Sequence, residues 1–363
     1  MSSHVLSKKL SQKLPDNSVV CLMAPTASGK TALAYELYDT GRYELISVDS
    51  ALIYRDMNIG TAKPSAAELE RYPHHLVNII DPTQTYSVAQ FVNDVALLID
   101  RCHQSRKIPL LVGGTMMYYM ALLDGLSPVP DSDESVRKQV EQWRQNEGID
   151  ALYQYLAKVD PISHERLKPA DTQRITRAVE VYKQTKTPIS DWQQRPKQAL
   201  ANNPDQQWHA LAVMPERAWL HERIAQRLDI MWQEGLVAEV IYLLNNYALM
   251  PNMPSMRCVG YRQVLEYLVQ TNHPIFDQPH LDKELFYYAF TDANPEVTSS
   301  MACQEMQNKA LYATRQLAKR QYTWLRKLVQ LQNLNSDPAE DEKSNKIVIS
   351  SLTTMRQAGN YLR

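Results

Sequence analysis

A strand–loop–helix pattern near the N-terminus constrains this chain more than any other feature. An apolar run at 18–23 is followed by the loop Ala24-Pro-Thr-Ala-Ser-Gly-Lys-Thr31 and then by a helical pattern. Gly-Lys-Thr in this context predicts a phosphate-binding loop, because backbone amides and the start of the helix face a bound anion. Lys30 would bring a positive charge to a terminal phosphate. The alternative is an ordinary strand–turn–helix that carries Gly-Lys-Thr by chance.

One position of this loop departs from the usual G-x-x-x-x-G-K-T pattern, since Ala24 stands where the first glycine is expected. Alanine is tolerated there if its φ is negative and is costly if its φ is positive. The loop sequence does not identify the ligand either, because ATP, GTP and other diphosphates present similar phosphate groups to it. The rest of the site must therefore decide the reaction.

Further strands and helices alternate after the loop. Strands are predicted at 44–49 and 108–112, and an amphipathic helix at 87–105. This alternation indicates a parallel sheet with helices on both faces. Asp49 ends the second strand and Gly113-Gly-Thr115 follows the third. Because the carboxyl ends of parallel strands meet at the ligand crevice, we expect both segments beside the phosphate loop.

Asp49 and Thr31 have the chemistry expected around a bound diphosphate. The Thr31 hydroxyl would bind a phosphate-bound Mg²⁺, with Asp49 contributing through water. Asp49 is also placed to accept a proton from a nucleophile. A helix cap or an ordinary loop aspartate is the alternative for Asp49.

The chain changes character after Gly125, where a proline-rich linker leads into a charged region without a convincing strand. We predict that this region is an all-helical lobe inserted into the α/β domain, which resumes with a strand at 208–213. Residues 271–308 contain a polar stretch, 291–300, that resembles a loop insertion. The predicted organisation is a first core segment at 1–126, the inserted lobe at 127–205, a second core segment at 206–335 and a C-terminal tail at 336–363.

Basic residues are concentrated in two helices, although the chain as a whole has 39 Lys and Arg, 40 Asp and Glu and a net charge of −1. A polyanionic partner would therefore need a local basic patch. A helix predicted at about 309–329 carries Arg315, Lys319 and Arg326 in one stripe with interleaved aromatic residues, which suits RNA phosphates. An ordinary solvated helix is the alternative. Arg174 and Arg177, in the lobe, either reach a ligand, or belong to a solvated helix face or a local ion pair with Glu180.

The cysteines and the apolar runs bear on location. The four cysteines are far apart and form no C-x-x-C pair, which favours a reducing cytoplasm. The longest apolar run near the N-terminus is six residues, at 19–24. A bilayer span needs about 20 residues, so we expect no membrane association from this run.

Seven segments together resemble the bacterial tRNA dimethylallyltransferase (tRNA isopentenyltransferase) family, and they occur in the family's order. They lie at 25–31, 46–54, 59–64, 110–115, 173–174, 257–262 and 313–326. The resemblance implies a P-loop NTPase-like α/β core with an inserted helical lobe. It also implies transfer of a dimethylallyl group from dimethylallyl diphosphate to the exocyclic amine of the adenosine at tRNA position 37, directly 3′ of the anticodon. Diphosphate is the leaving group, Mg²⁺ the expected cofactor, and the enzyme a cytoplasmic monomer.

The resemblance assigns roles to individual residues. Asp49 would orient the amine and accept its proton, Lys30 would stabilise the departing diphosphate, and Thr115 would touch a flipped base. The donor site would comprise Ala24, Pro25, Thr26, Ala27, Ser28, Gly29, Lys30 and Thr31. The tRNA contacts would be Asp49, Ser50, Ala51, Leu52, Thr115, Arg137, Gln173, Arg174, Ile175, Thr176, Arg177, Arg257, Cys258, Val259, Gly260, Tyr261, Arg262, Lys319, Arg320, Gln321, Tyr322, Thr323, Trp324, Leu325 and Arg326.

Other functions share part of this pattern. A P-loop kinase of a small metabolite or nucleotide would use Lys30, Thr31 and Asp49 with ATP, and lobe arginines would clamp the transferred phosphate. The basic C-terminal helix argues against it, since a small substrate needs no such patch. A non-catalytic RNA-binding protein with an ATP switch is a third possibility, in which Asp49 would be dispensable. A chain-elongating prenyl synthase is disfavoured because no Asp-Asp-x-x-Asp motif occurs.

Overall fold

A six-stranded, all-parallel sheet organises the computed structural model, which describes residues 14–290, 299–334 and 347–362. The spatial order of its strands is β3-β2-β4-β1-β5-β6. The predicted α/β fold is therefore confirmed. The strands are β1 (Ser18–Met23), β2 (Tyr43–Val48), β3 (His74–His75), β4 (Ile108–Gly113), β5 (Gln207–Val213) and β6 (Val348–Leu352).

The register of the central strands brings three loops to one edge of the sheet. Met23 of β1 and Val48 of β2 are both register partners of Gly113 in β4. The segments that follow these strands therefore begin side by side. β1 also pairs with β5 on its other side, so the strand order reverses at β1, which is where α/β sheets bind their ligands.

Both faces of the sheet are buried, as the apolar strand sequences predict. Val20 and Leu22 of β1 pack with Leu33 and Leu37 of helix α1 (Lys30–Tyr38), while the intervening residues of β1 are equally inaccessible. Each such side chain contributes about 1.5–3 kcal/mol through burial. This packing fixes the strand and helix that flank the phosphate loop.

The remaining helices follow the chain order. The helix Val88–Gln104 agrees with the prediction at 87–105, and a capping box between Ser87 and Gln90 sets its start. The helices of the described residues are α2 (Ala66–Arg71), α3 (Val88–Gln104), α4 (Met116–Leu123), α5 (Glu134–Val159), α6 (Pro161–Arg166), α7 (Thr172–Thr185), α8 (Ile189–Gln194), α9 (Arg217–Gln233), α10 (Leu236–Asn246), α11 (Tyr261–Gln270), α12 (Lys283–Ala289), α13 (Ser299–Leu334) and α14 (Met355–Leu362), with 3-10 turns at Leu200–Asn202 and Pro274–Asp277.

The chain separates into two compact units. Residues up to Met120 and from Asn203 form the unit with the sheet, and Ala121–Asn202 form the second. The predicted boundaries were 127 and 205. The second unit is built from helices α5 to α8 around a core that includes Val140, Leu152 and Val179, and α5 is interrupted at Gly148, whose φ is 81°.

Two expectations about the periphery of the sheet domain were wrong. The predicted tail at 336–363 contains β6, which pairs with β5, and α14, which packs on α1. The basic helix begins at Ser299 and not near Lys309. Residues 271–290, which precede the predicted polar stretch, hold a 3-10 turn and α12. Of the polar stretch predicted at 291–300, residues 291–298 lie outside the described residues and the last two begin α13. The acidic run at 337–342 also lies outside the described residues.

The described helices were also compared with the length and apolarity that a bilayer span requires. None of those in 14–290, 299–334 and 347–362 meets both requirements.

Candidate active site

The phosphate loop connects β1 to α1 and contains two residues in left-handed backbone conformation. These are Ala27, with φ 61°, and Gly29, with φ 89°. Ala24 is not among the described residues with positive φ, and its N–H donates to Gly113 O at 3.3 Å. Alanine therefore fits at this position, where the general pattern has glycine.

Ser28 has an unused hydrogen-bonding group inside this loop. Its side chain is only 2% exposed, and its Oγ has no hydrogen-bond partner within the described residues. Buried hydroxyl groups are normally satisfied, so this oxygen is suited to a ligand that the loop holds. Thr31, at the start of α1, is exposed.

Lys30 supplies a cation to the phosphate loop and is half-buried. Its Nζ lies 3.5 Å from Pro25 O. Burial lowers the pKa of Lys30 to about 8, the charge of Asp49 opposes this shift, and that of Arg227 adds to it. A desolvated ammonium interacts strongly with an anion that replaces its lost water, because charges interact more strongly away from solvent.

Asp49 follows β2 directly, as the edge geometry predicts. Its Oδ1 accepts a hydrogen bond from the Ala51 N–H at 2.9 Å, and the carboxylate is partly exposed. Asp49 follows β2 and Lys30 follows β1, and the register of these strands with β4 places both groups at one edge of the sheet. A carboxylate with one oxygen held by backbone and one available is suited to orienting and deprotonating an amine.

Thr115 ties the end of β4 to the residue after Asp49. Its Oγ1 accepts from the Ser50 N–H at 3.0 Å and lies 3.3 Å from Ser50 Oγ. Gly113 is needed nearby because a Cβ there would stand 2.0 Å from Val48 O. The structure thus brings Lys30, Asp49, Ser50 and Thr115 to one edge, as expected from the sequence.

Two arginines on α9 contact the phosphate loop and were missed by sequence reasoning. Arg223 Nε donates to Ala27 O at 2.9 Å, and Arg227 Nη1 lies 3.5 Å from Thr26 Oγ1. Burial and the neighbouring Arg223 lower the pKa of Arg227. Their i, i+4 spacing on a helix that follows strand β5 was the available signal, because β5 is the direct neighbour of β1.

A cavity of about 460 Å³ opens beside these arginines. One part of its lining is charged and the other apolar, so it suits a ligand with an anionic head and a hydrocarbon tail. The lining residues are Ile59, Ala62, Lys63, Arg223, Gln226, Arg227, Ile230, Met231 and Glu234.

Helix α13 has an exposed basic side and a buried side. Lys319, Arg320 and Arg326 are exposed, and Lys327 Nζ lies 5.2 Å from the ring centre of Trp324. The predicted stripe is only partly correct, because Arg315 is half-buried. Thr323 is exposed as well. Three residues expected to contact tRNA are instead buried: Gln321, Tyr322 and Leu325. Helical periodicity places them on the opposite side of α13.

The segment 257–262 divides in the same way. Arg257 is exposed, whereas Gly260 and Tyr261 are buried, and the Tyr261 hydroxyl donates to Glu239 Oε1 at 2.6 Å. The direct tRNA contacts expected of these two residues are therefore replaced by packing. Glu239 also accepts from the N–H groups of 58–60. Cys258 and Val259 are half-buried, and Arg262 stacks on Phe290 at 4.8 Å.

The predicted residues of the helical unit fall into exposed and internal groups. Arg137, Gln173 and Arg174 are exposed, whereas Ile175 is fully buried and Thr176 Oγ1 is buried without a partner in the described part of the chain. Arg177 bonds to Pro130 O at 2.6 Å and pairs with Glu180 at 3.5 Å. The local-pair alternative therefore describes Arg177, and Ile175 belongs to the core.

The fold and the sheet-edge site define a P-loop-like α/β protein with a desolvated cation, a carboxylate and a basic helix at one edge. A sequence model of the family described as IPP transferase matches residues 52–328. The chain belongs to this family.

Similar proteins agree with this assignment. The chain is similar to the tRNA dimethylallyltransferase of Psychrobacter cryohalolentis, with 68% identity over 100% of this chain and 98% of that protein. It is 48% identical to that of Acinetobacter baumannii over 90% and 95% of the two chains. The crystal structure of a full-length tRNA isopentenylpyrophosphate transferase from Bacillus halodurans aligns with a TM-score of 0.55 at 27% identity, covering 95% of each chain.

Proposed function

We propose that this protein transfers a dimethylallyl group from dimethylallyl diphosphate to the exocyclic amine of the adenosine 3′ of the anticodon in tRNA. The observation that carries the proposal is the position of α13. This helix contacts the phosphate loop through Gln321 and exposes Lys319 and Arg320 on its other side. An RNA-binding surface on the same helix that adjoins a diphosphate site suits a tRNA substrate, and a small-molecule kinase has no use for it.

The site residues account for each part of this reaction. The amine nitrogen forms a bond to the allylic carbon, the bond between that carbon and the diphosphate oxygen breaks, and the amine proton passes to Asp49. Lys30 and the loop amides stabilise the charge that develops on the departing diphosphate. The base must leave its stack to reach the edge of the sheet, where Ser50 and Thr115 offer hydroxyl groups.

Mg²⁺ fits the hydroxyl and carboxylate groups present. The orphaned Ser28 hydroxyl, the Thr31 hydroxyl and, through water, Asp49 would hold it together with diphosphate oxygens. A bound Mg²⁺ would supply charge neutralisation on the diphosphate. No cluster of three or more His, Cys, Asp or Glu residues occurs in the described ranges, so the ion would depend on the diphosphate for its remaining ligands.

One reaction tests the proposed function. The protein is incubated with Mg²⁺, dimethylallyl diphosphate and an unmodified anticodon stem-loop, beside a parallel reaction with ATP, and digested nucleosides are analysed by mass spectrometry. We expect dimethylallyl-adenosine only in the reaction with the isoprenoid. ATP consumption without this product would contradict the proposal and favour the kinase.

The exposed basic side of α13 gives a second prediction. Lys319→Glu with Arg320→Glu should weaken tRNA binding at least tenfold, because two phosphate contacts become repulsive. The slope of log Kd against log salt should fall by about 0.7–0.9 for each lost contact. Filter binding at several salt concentrations measures both quantities.

A matched control for that variant lies at the opposite edge of the sheet. Arg101 and Arg106 are exposed and precede β4, so they are far from its carboxyl end. Arg101→Glu with Arg106→Glu changes the net charge equally and should leave the salt slope unchanged. An equal loss of tRNA affinity in both double variants would show that α13 does not contact the tRNA.

A further inference from the structure

Gln321 joins α13 to the two loops that form the site. Its Oε1 accepts a hydrogen bond from the Thr26 N–H at 3.1 Å, and its Nε2 donates to Gly114 O at 2.8 Å. The side chain is 8% exposed. Thr26 belongs to the phosphate loop, and Gly114 immediately precedes Thr115. One buried amide therefore connects the predicted donor site with the predicted acceptor site.

The absence of a side chain at Gly114 leaves room for the Gln321 amide. A Cβ at Gly114 would lie 2.6 Å from Gln321 Nε2 and 3.3 Å from Ala24 O. Gly114 is not among the glycines with positive φ, so the reason for glycine is space and not backbone conformation. Gly114 and Gln321 therefore form a complementary pair.

Neighbouring residues of α13 hold the helix in place. The Tyr322 hydroxyl donates to Pro215 O, and Leu325 is fully buried. Unlike these contacts, Gln321 accepts a hydrogen bond from a backbone N–H of the phosphate loop and so fixes the position of that loop. A loop amide in a fixed position is needed where charge develops on a leaving group.

We propose that Gln321 is a positioning residue for the reaction, which fixes the phosphate loop relative to Thr115. This inference rests on the proposed function. Gln321 holds the Thr26 amide and the end of β4 in one arrangement, so that the allylic carbon and the attacking amine meet at the correct distance. Exposed residues of the same helix bind the RNA, and Gln321 itself does not touch it.

Gln321→Ala separates this role from a direct tRNA contact. A displacement of about 1 Å at a reacting centre costs about 100-fold in rate, so we expect kcat to fall about 10- to 100-fold. The Kd for the anticodon stem-loop should change less than twofold. Gln330→Ala, at an exposed position of the same helix, is the matched control and should leave both quantities unchanged. A weaker tRNA Kd with unchanged kcat would overturn the proposal.

A double-mutant cycle with Gly114→Ala separates positioning from general packing. Gly114→Ala alone should reduce kcat because its methyl group displaces the Gln321 amide. In the Gln321→Ala background the 2.6 Å clash is absent and only the milder 3.3 Å approach to Ala24 O remains, so adding Gly114→Ala should reduce kcat less than twofold further. If the loss of kcat in the double variant equals the product of the two single losses, the residues act independently and the proposal is overturned.

Diphosphate binding supplies a readout that does not depend on transfer. Calorimetric titration with inorganic diphosphate and Mg²⁺ should give an affinity about fivefold weaker for Gln321→Ala than for wild type, because the Thr26 amide is no longer fixed. Unchanged affinity would contradict the positioning of the loop by Gln321. A wild-type protein that binds diphosphate but forms no dimethylallyl-adenosine would contradict the proposed function alone.

Discussion

Lys30→Met is expected to lower the rate of dimethylallyl transfer about 100- to 1000-fold while the protein remains folded. Loss of one preorganised group that stabilises a developing oxyanion typically costs about this factor in kcat. Methionine retains the length and apolar part of the lysine side chain and removes only the charge. The measurement is single-turnover formation of dimethylallyl-adenosine, together with thermal unfolding.

Stability should not decline in this variant. The pKa of Lys30 is about 8 in the folded protein against an ordinary value of 10.5, so the folded state disfavours the charged form. The charged ammonium therefore destabilises the fold at pH 7, and this penalty disappears as pH rises from about 8 towards 10.5. Methionine carries no such penalty, so its Tm at pH 7 should equal or exceed that of wild type.

The same pKa predicts how donor use depends on pH. A bound diphosphate favours the ammonium form, so kcat/KM for the donor should be highest below pH about 8 and decline above it. The Lys30→Met variant should lack this decline. Lys107→Met, which precedes β4 at the opposite edge, is the control and should behave as wild type. Wild-type transfer activity in Lys30→Met would show that Lys30 does not take part in the reaction.

Asp49→Asn should lower the rate about 100- to 10,000-fold, the usual contribution of a positioned general base. Asparagine keeps an oxygen that can accept the Ala51 N–H, so the loop after β2 should retain its conformation. It cannot take the amine proton. The tRNA Kd should change little, so the loss should lie in kcat measured at saturating tRNA and donor.

The control for Asp49 is Asp81→Asn, which affects a carboxylate in the same domain. Asp81 pairs with Arg55 at 2.7 Å, and both side chains are more than 40% exposed. Exposed pairs contribute about 0.2–1 kcal/mol, so this variant should transfer at the wild-type rate. Unaltered turnover in Asp49→Asn would contradict the role of Asp49 as the base that accepts the amine proton.

The sequence predicted the centre of the fold better than its edges. β1, β2, β4 and β5 are buried apolar runs followed by Gly, Asp or loop residues, so both their existence and the position of Asp49 could be read directly. β3 has two residues, and β6 follows an acidic run, so neither carries a long apolar pattern. Edge strands depend on pairing partners that one segment of sequence does not reveal.

The parts of the site that are short segments directly after strands could be predicted from the sequence. Thr26 to Thr31 and Thr115 follow strands whose ends must align. Arg223 and Arg227 were missed, because their role depends on β5 lying next to β1. Gln321 was predicted on the right helix but on the wrong side, because the motif that suggested RNA contact does not say which residues face inward.

The Thr26–Gln321 hydrogen bond joins residues 295 positions apart in the chain. During synthesis the phosphate loop is made first, and the glutamine that fixes it is made 295 residues later. The strands β1, β2 and β4 can pair before then, but the site is not complete until α13 has been made. A partly synthesised chain therefore has its phosphate loop before it has the side-chain amide that fixes that loop.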